Sequence, residues 1–239
     1  GFHLDMAHCQ QRIGEYERAD RAVERALSEL SAGDGSQQYR RAKEIGALLA
    51  IARGRYEKAI AVGGEAVSKL PPDSPASAPF HAASGIAHVY TGEYQKAEEE
   101  LQTAVNLYEK DGKPAGTITA LAGLGMARQQ AGNCDGAIEP YERALELDPQ
   151  DTGARLQYAY HLSRRNKWER AVEVLDSLLE QQRHRLDPES IADTYCLMAR
   201  GLSQLGRPDE ASKNLEQALK ANPEHLPALR AALELANQM

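Results

Sequence analysis

A chain of 239 residues is long enough for one large domain or two ordinary ones. With only 5% aromatic residues, two Phe and one Trp against ten Tyr, it must pack largely through Ala and Gly. A formal net charge of −7 argues against a broad electrostatic footprint for nucleic acid or an anionic membrane, leaving only a local patch for a basic or phosphorylated partner. Cys9, Cys134 and Cys196 are too dispersed, and odd in number, for a disulfide framework, so a reducing compartment, the cytoplasm, is expected. There is no run of about 18 apolar residues to insert in a membrane, and no basic segment followed by an apolar core marks a secretory signal. Gly1 in place of an initiating Met leaves open a chain cut from a longer one, with a leader or further domains removed.

Taken in order, Leu4 to Arg12 predicts a helix leading into Ile13-Gly14-Glu15-Tyr16, followed by Ala19, Val23, Ala26 and Leu27 on one stripe. Ser31 to Ser36 reads as a loop. A second hairpin runs from Tyr39 to Leu70, turning at Gly54-Arg55-Tyr56, with Ala59, Gly63, Ala66 and Val67 on its packing stripe. The pair Gly63-Gly64 predicts close approach of a neighbouring helix, with a local bend as the alternative. Pro71-Pro72-Asp73-Ser74-Pro75 ends that helix and reads as an ordinary connection rather than a linker between subdomains, because the pattern resumes in phase. Phe80 to Thr91, a turn at Gly92-Glu93-Tyr94, then Ala97, Leu101, Ala104 and Val105 form the third unit, and Asp111 to Pro114 break the chain again.

The fourth unit places Leu121, Leu124 and Gly125 on its first helix and Ala137, Tyr141, Ala144 and Leu145 on its second, joined at Gly132-Asn133; Pro140 predicts a bend or a lost hydrogen bond in that second helix. The fifth replaces the turn glycine by Asn166, which tolerates left-handed backbone, followed by Trp168, Ala171, Leu175, Leu178 and Leu179. The sixth runs from Ile191 through Gly206-Arg207-Pro208 to Ala211, Leu215, Ala218 and Leu219, with Pro223 as its stop. Pro227 to Asn237 then predicts a capping helix that buries Leu229, Ala232, Leu233 and Ala236 against the last hairpin. One hairpin cannot bury its own stripe, so the units must stack. The fold class expected is an all-α, right-handed superhelical solenoid of antiparallel helix pairs. It forms a single domain over residues 1–239, with repeats near 1–31, 36–70, 76–110, 115–149, 151–184 and 188–223 and a cap at 224–239.

The turn residues fall at 14, 54, 92, 132, 166 and 206, at intervals of 40, 38, 40, 34 and 40. That period and its two-helix unit resemble the tetratricopeptide repeat family, best in GLGMARQQAGNCDGAIEPYERALELDP (123–149) and LGRPDEASKNLEQALKANP (205–223). The usual tryptophan of the first helix is absent throughout, and most intervals exceed the family's basic unit. Units of this length resemble those of bacterial peptide-sensing regulators and kinesin light chains. The resemblance implies a non-catalytic scaffold that binds an extended peptide or partner protein on a concave wall lined by the first helices. The phase of those helices puts Glu44, Leu48 and Ile51, then Ala82, Ile86 and Val89, then Ala122, Met126 and Gln129 on that wall. Leu156, Tyr160 and Ser163, then Cys196, Arg200 and Ser203 follow, with a polar end at Arg164 and Arg200. The partner-binding residues expected are Leu48, Ile51, Ile86, Val89, Met126, Gln129, Tyr160, Arg164 and Arg200. An apolar wall is either open as a groove, as exposed apolar stripes usually are, or filled by neighbouring helices.

Some family members clamp a C-terminal carboxylate with Lys and Asn one turn apart on the first helix; no such pair stands on these faces, which argues against chaperone tails as ligands. The seven histidines form no i, i+4 pair with each other or with Cys that suits zinc, so no metal and no cofactor is expected. Cys134 occupies a turn-aromatic position and reads as a buried thiol, whereas Cys196 faces the wall. No phosphate loop or nucleophile turn is present, and the chain is read as no enzyme. Two alternatives stand beside the scaffold: a ligand- or peptide-sensing regulatory domain of a larger protein, and a self-assembling structural subunit, that is, a homo-oligomer.

Overall fold

The computed structural model describes residues 13–29 and 37–236, and every regular element among them is helical. Twelve α-helices follow in order: α1 (Ile13–Glu29), α2 (Gln37–Ala52), α3 (Tyr56–Ser68), α4 (Ala78–Thr91), α5 (Tyr94–Lys110), α6 (Pro114–Gln130), α7 (Ile138–Leu147), α8 (Thr152–Arg164), α9 (Trp168–Gln182), α10 (Pro188–Gln204), α11 (Pro208–Ala221) and α12 (Leu226–Ala236). The helix expected at Leu4 to Arg12, the loop Ser31 to Ser36 and Asn237 lie outside the described residues. The chain is an all-α repeat array of helix pairs.

Its residues group into two compact units, Gly1–Asn133 and Cys134–Met239. In the first, each helix from α1 to α6 packs on the next, and the first helices α2, α4 and α6 also touch in succession. In the second, α7 to α12 pack in the same serial way, and α10 touches α12. The division falls inside the fourth expected hairpin, whose first helix α6 belongs to one unit and whose second helix α7 belongs to the other.

The turns follow one physical rule. Gly54, Gly92, Gly132, Asn166 and Gly206 all have positive φ, between 56° and 84°, a region open to glycine and tolerated by Asn. At Gly92 the amide donates to Val89 O at 3.3 Å and the following amide, Glu93, donates to His88 O at 2.9 Å. Asn166 and Lys167 repeat the pair to Ser163 O at 3.1 Å and Leu162 O at 3.0 Å. These bonds satisfy the last carbonyls of the first helix and reverse the chain. Gly14 falls within α1 as described.

Small side chains let the second helices approach. Ala59, Ala97, Ala137, Ala171 and Ala211 are all buried, as are Leu101, Tyr141, Leu175 and Leu215 one turn later. In α3 that later place belongs to Gly63, where an added Cβ would stand 2.1 Å from Ser84 Oγ and 3.2 Å from Phe80 O. Gly64 has nothing within 4 Å of such a Cβ. Close approach therefore involves only the first of the two glycines.

Pro140 neither bends its helix nor leaves a bond unmade. The segment Cys134–Ala137 is a turn, and α7 starts only at Ile138. This makes Pro140 the third helical residue, and the amide it lacks is one that no intrahelical carbonyl would receive. A helix begun two residues after Gly132, as in the other hairpins, would have required that amide.

The last helix turns a different face to the array than its pattern suggested. Ala228 and Leu235 are buried with Ala211 and Leu215, and Ala231 and Ala232 pack beside them. Leu229 and Leu233 are exposed, together with Leu226. Burying Leu229 and Leu233 would turn Ala228 and Leu235 outward, and these are the residues that fit the edge left by α10 and α11.

Substituting Gly63→Ala is expected to lower stability by about 1–3 kcal/mol through overpacking, and Gly64→Ala to raise it by about 0.5–1 kcal/mol through helix propensity. Thermal unfolding of the two variants, followed by circular dichroism, checks this contrast; equal effects would contradict the packing of α3 on α4.

Candidate partner-binding surfaces

In the unit Cys134–Met239 the exposed side chains of the first helices are polar or amphipathic. Tyr160 is 40% exposed, and Arg164, one turn further along α8, is exposed beside it. Neither makes a side-chain hydrogen bond or ion pair among the described residues. Between them His161 points the other way and is fully buried, its ring 5.8 Å from that of Tyr141. Burial depresses the His161 pKa, helped by the cations Lys167 and Arg164, and holds the ring neutral. On α10, Arg200 is exposed and Cys196, one turn before it, is buried. Burial pushes the Cys196 thiol up, against the pull of the Arg200 charge, so a reactive thiolate is disfavoured there. Cys134 is half-buried rather than buried.

In the unit Gly1–Asn133 the expected wall divides. Leu48, Ile51, Ile86 and Met126 are half-buried, whereas Val89 and Gln129 are buried and offer no surface. Val89 packs with Ala97, Leu101, Leu124 and Ala127, and Ile86 and Met126 lean on the same cluster. Helical phase alone points Val89 outward, but α4 packs on α2, α3, α5 and α6 and has little free circumference. Two features escaped the pattern. Tyr56 and Tyr90 stack at 4.8 Å with planes 6° apart, and nothing in their spacing signals it because they belong to successive hairpins. Glu44 on α2 is near enough to Tyr108 on α5 for its charge to be felt there: burial, then that carboxylate, push the tyrosine up to about 12.

Three groups among the described residues stand close enough to hold a cation, namely Glu189, Asp193 and His225. His225 Nε2 is 2.9 Å from Asp193 Oδ1, and its Nδ1 accepts the Ala228 amide at 3.3 Å. An imidazole that accepts at Nδ1 carries its proton on Nε2, so it has no lone pair to give a metal. The ring instead caps α12, as Asp151 caps α8 by accepting from Ala154 N at 2.7 Å. His81 Nδ1 lies 2.5 Å from Glu100 Oε2, and His88 Nδ1 lies 3.3 Å from Glu93 Oε1. Each of these histidines faces its own carboxylate, and the pair does not converge.

Stacked helix pairs, left-handed turns and small residues at the crossings define a repeat scaffold. The model of the MalT-like TPR region matches residues 41–165 and the tetratricopeptide repeat model matches residues 153–224. The chain belongs to the tetratricopeptide repeat family. It is 26% identical over 141 residues to Superkiller protein 3 of Schizosaccharomyces pombe, a match that covers 59% of this chain and 10% of that protein. Among solved structures, BtubC from P. vanneervenii superposes with a TM-score of 0.69 at 16% identity, covering 95% of this chain and 92% of that one. YrrB, described as a TPR protein with an unusual peptide-binding site, superposes with a TM-score of 0.58 at 19% identity over 92% of this chain and 100% of that one. At these identities the likeness establishes the fold.

No helix among the described residues is long and apolar enough to cross a membrane. The chain is a tetratricopeptide-type interaction scaffold, and proteins of this family bind protein or peptide partners.

Glu44 carries a pH signature. Its carboxyl is raised by burial, and Arg41 opposes the shift only in part. A raised folded pKa means that its contribution to stability is complete below the ordinary glutamate value and is lost as pH rises through the raised one. Glu44→Gln is therefore expected to raise Tm at pH 7 by roughly 2 °C and to leave it unchanged at pH 4, as measured by thermal melts across that range.

Proposed function

We propose that this chain holds an extended peptide or a segment of a partner protein against the exposed faces of its first helices. In residues 134–239 the contact is made by Tyr160, Arg164 and Arg200; in residues 1–133 it is made by the half-buried Leu48, Ile51, Ile86 and Met126. The observation that carries the reading is Tyr160, an exposed aromatic one turn from Arg164 on a first helix, a cation with no ion pair among the described residues. Tyr and Arg are the side chains that contribute most at protein interfaces, through large amphipathic area and planar hydrogen bonding. Recognition without chemistry is the role this supports. The peptide-binding site named for YrrB belongs to that protein and is consistent with such a use of the fold.

A second reading, self-association, is favoured by the outer stripe of α12, where Leu226 and Leu233 are 73% and 65% exposed. A regulatory arm within a larger protein is supported by the matched relative, of which the aligned segment is only a tenth.

Peptides selected from a random display library on the full chain are expected to lose at least about tenfold in affinity on Tyr160→Ala with Arg164→Ala, with an unchanged circular dichroism spectrum; retained affinity would overturn the assignment of this face. In light scattering over a range of concentrations, any dimer should dissociate on Leu229→Glu with Leu233→Glu, whereas a mass of one chain at all concentrations would dismiss self-association.

A further inference from the structure

Residues 134–239 are acidic, with 13 Lys and Arg against 18 Asp and Glu. Against that background three consecutive basic residues, Arg183, His184 and Arg185, form a 3-10 turn between α9 and α10, and all three are exposed. The turn is anchored at both ends. Before it, the buried Gln182 is bonded to Gln150 O and Thr152; after it, Leu186 donates its amide to Arg183 O at 3.2 Å and packs beside Leu175, Leu179 and Met198. The Arg183 guanidinium lies 5.8 Å from the centre of the Tyr195 ring on α10, a cation–π contact that orients it without neutralising it. Arg155 on α8 is drawn to the same end of α9, its Nη1 donating to Gln181 Oε1 at 3.2 Å and its Nε to Pro149 O at 2.7 Å. Arg155, Arg183 and Arg185 form no ion pair among the described residues, unlike Arg170 with Glu173 and Arg207 with Glu210. The carboxylates that follow the turn are engaged elsewhere: Asp187 caps α10 by accepting from Ser190 N at 3.0 Å and Ser190 Oγ at 2.7 Å, and Glu189 accepts from Asn222. Cations after a helix often serve its last carbonyls, but neither Arg183 nor Arg185 donates to a carbonyl of α9 among the described residues.

We propose that this turn is a docking site for a phosphoserine of a partner protein, the phosphate received by Arg183 and Arg185 with Arg155 beside them at the end of α9. A phosphomonoester brings close to two negative charges and three acceptor oxygens. That suits several unpaired guanidinium groups better than the single charge of a carboxylate does. The patch is also short, since Glu180 stands exposed three residues before it and Glu189 four residues after Arg185. A nucleic acid or an anionic bilayer would carry further negative charge onto those carboxylates, whereas one phosphorylated side chain meets only the turn. Because both flanks of the turn are fixed in the core, the arginines are held in place before a ligand arrives, and little ordering is left to oppose binding. The site lies at the end of α9 remote from the Asn166 turn and uses neither Tyr160 nor Arg164, so it goes beyond the peptide-binding face and does not depend on it.

Fluorescence anisotropy on the full chain tests this with a labelled nonapeptide pool, acetylated and amidated, random on both sides of a central phosphoserine. The same pool is prepared with serine and with glutamate at that place. The phosphoserine pool is expected to bind at least about tenfold more tightly than either. Arg183→Gln and Arg185→Gln should each weaken it by about fivefold or more, while Arg170→Gln, at an arginine already paired with Glu173, should leave it unchanged; circular dichroism checks that helicity is retained in all three. Equal binding of the three pools, binding untouched by both substitutions in the turn, or no binding of any pool would overturn the site. Tighter binding of a short oligothymidylate or of phosphatidylserine vesicles through the same two arginines would overturn it too, assigning the patch to nucleic acid or to membrane. Tyr160→Ala with Arg164→Ala should leave the phosphoserine pool bound, so failure of this site and failure of the peptide-binding face are read separately.

Discussion

The architecture depends on one backbone constraint, a residue held in left-handed conformation after each first helix. Gly54, Gly92, Gly132, Asn166 and Gly206 each close their helix with a paired set of amide-to-carbonyl bonds. At Gly54, Gly92, Asn166 and Gly206 the next helix then begins two residues later, which sets the second helix against the first at a fixed height. A β-branched or bulky residue at these positions would meet its own carbonyl and open the turn. Once height is fixed, the positions of the small residues follow, because Ala97, Ala171 and Ala211 must stand where two helices come nearest. The larger residue one turn later then fills the space the alanine leaves.

Polar side chains make the connections specific. Gln182, almost wholly buried, donates to Gln150 O at 2.7 Å and accepts from Thr152 Oγ1 at 2.8 Å, tying the turn before α8 to the end of α9. A buried amide satisfied at both ends restrains the turn more than an apolar residue of equal size. Asp20 on α1 accepts from both Arg53 and Arg55, which anchors that helix to the turn between α2 and α3. Glu65 bridges α3 to α2 through Lys43 at 2.6 Å and receives Lys69 at 2.8 Å, bonds that hold its carboxyl at about 2. Being largely exposed, that pair of bridges fixes orientation more than it adds stability.

The same packing decides what is left for recognition. Within residues 1–133, α4 touches α2, α3, α5 and α6, and α6 touches α4 and α5, so only a narrow strip of α4 remains. Val89 lies outside that strip and Ile86 at its edge, and on α6 Gln129 is buried and Met126 half-buried. On α10 and α12, Arg200, Arg230, Leu226, Leu229 and Leu233 are exposed.

How far the sequence could be read depended on the range of the interaction involved. Turn residues, the alanine stripes, the helix periods and the family were legible because each is set by local backbone geometry or by repetition at a fixed interval. Asn166 was recognisable as a turn residue for that reason, and so was one close contact at Gly63-Gly64. What remained hidden depends on neighbours in space. The late start of α7 comes from Pro140 acting back on residues before it, and the facing of α12 comes from the shape of the edge left by α10 and α11. His225 as a helix cap, the Tyr56–Tyr90 stack and the burial of Val89 and Gln129 likewise involve residues that sequence distance separates. The amino-acid sequence by itself determined the repeat, its hairpins and their packing stripes, since those arise within one unit. Only the tertiary structure decided which faces stay open, since solvent access depends on how successive units cover one another.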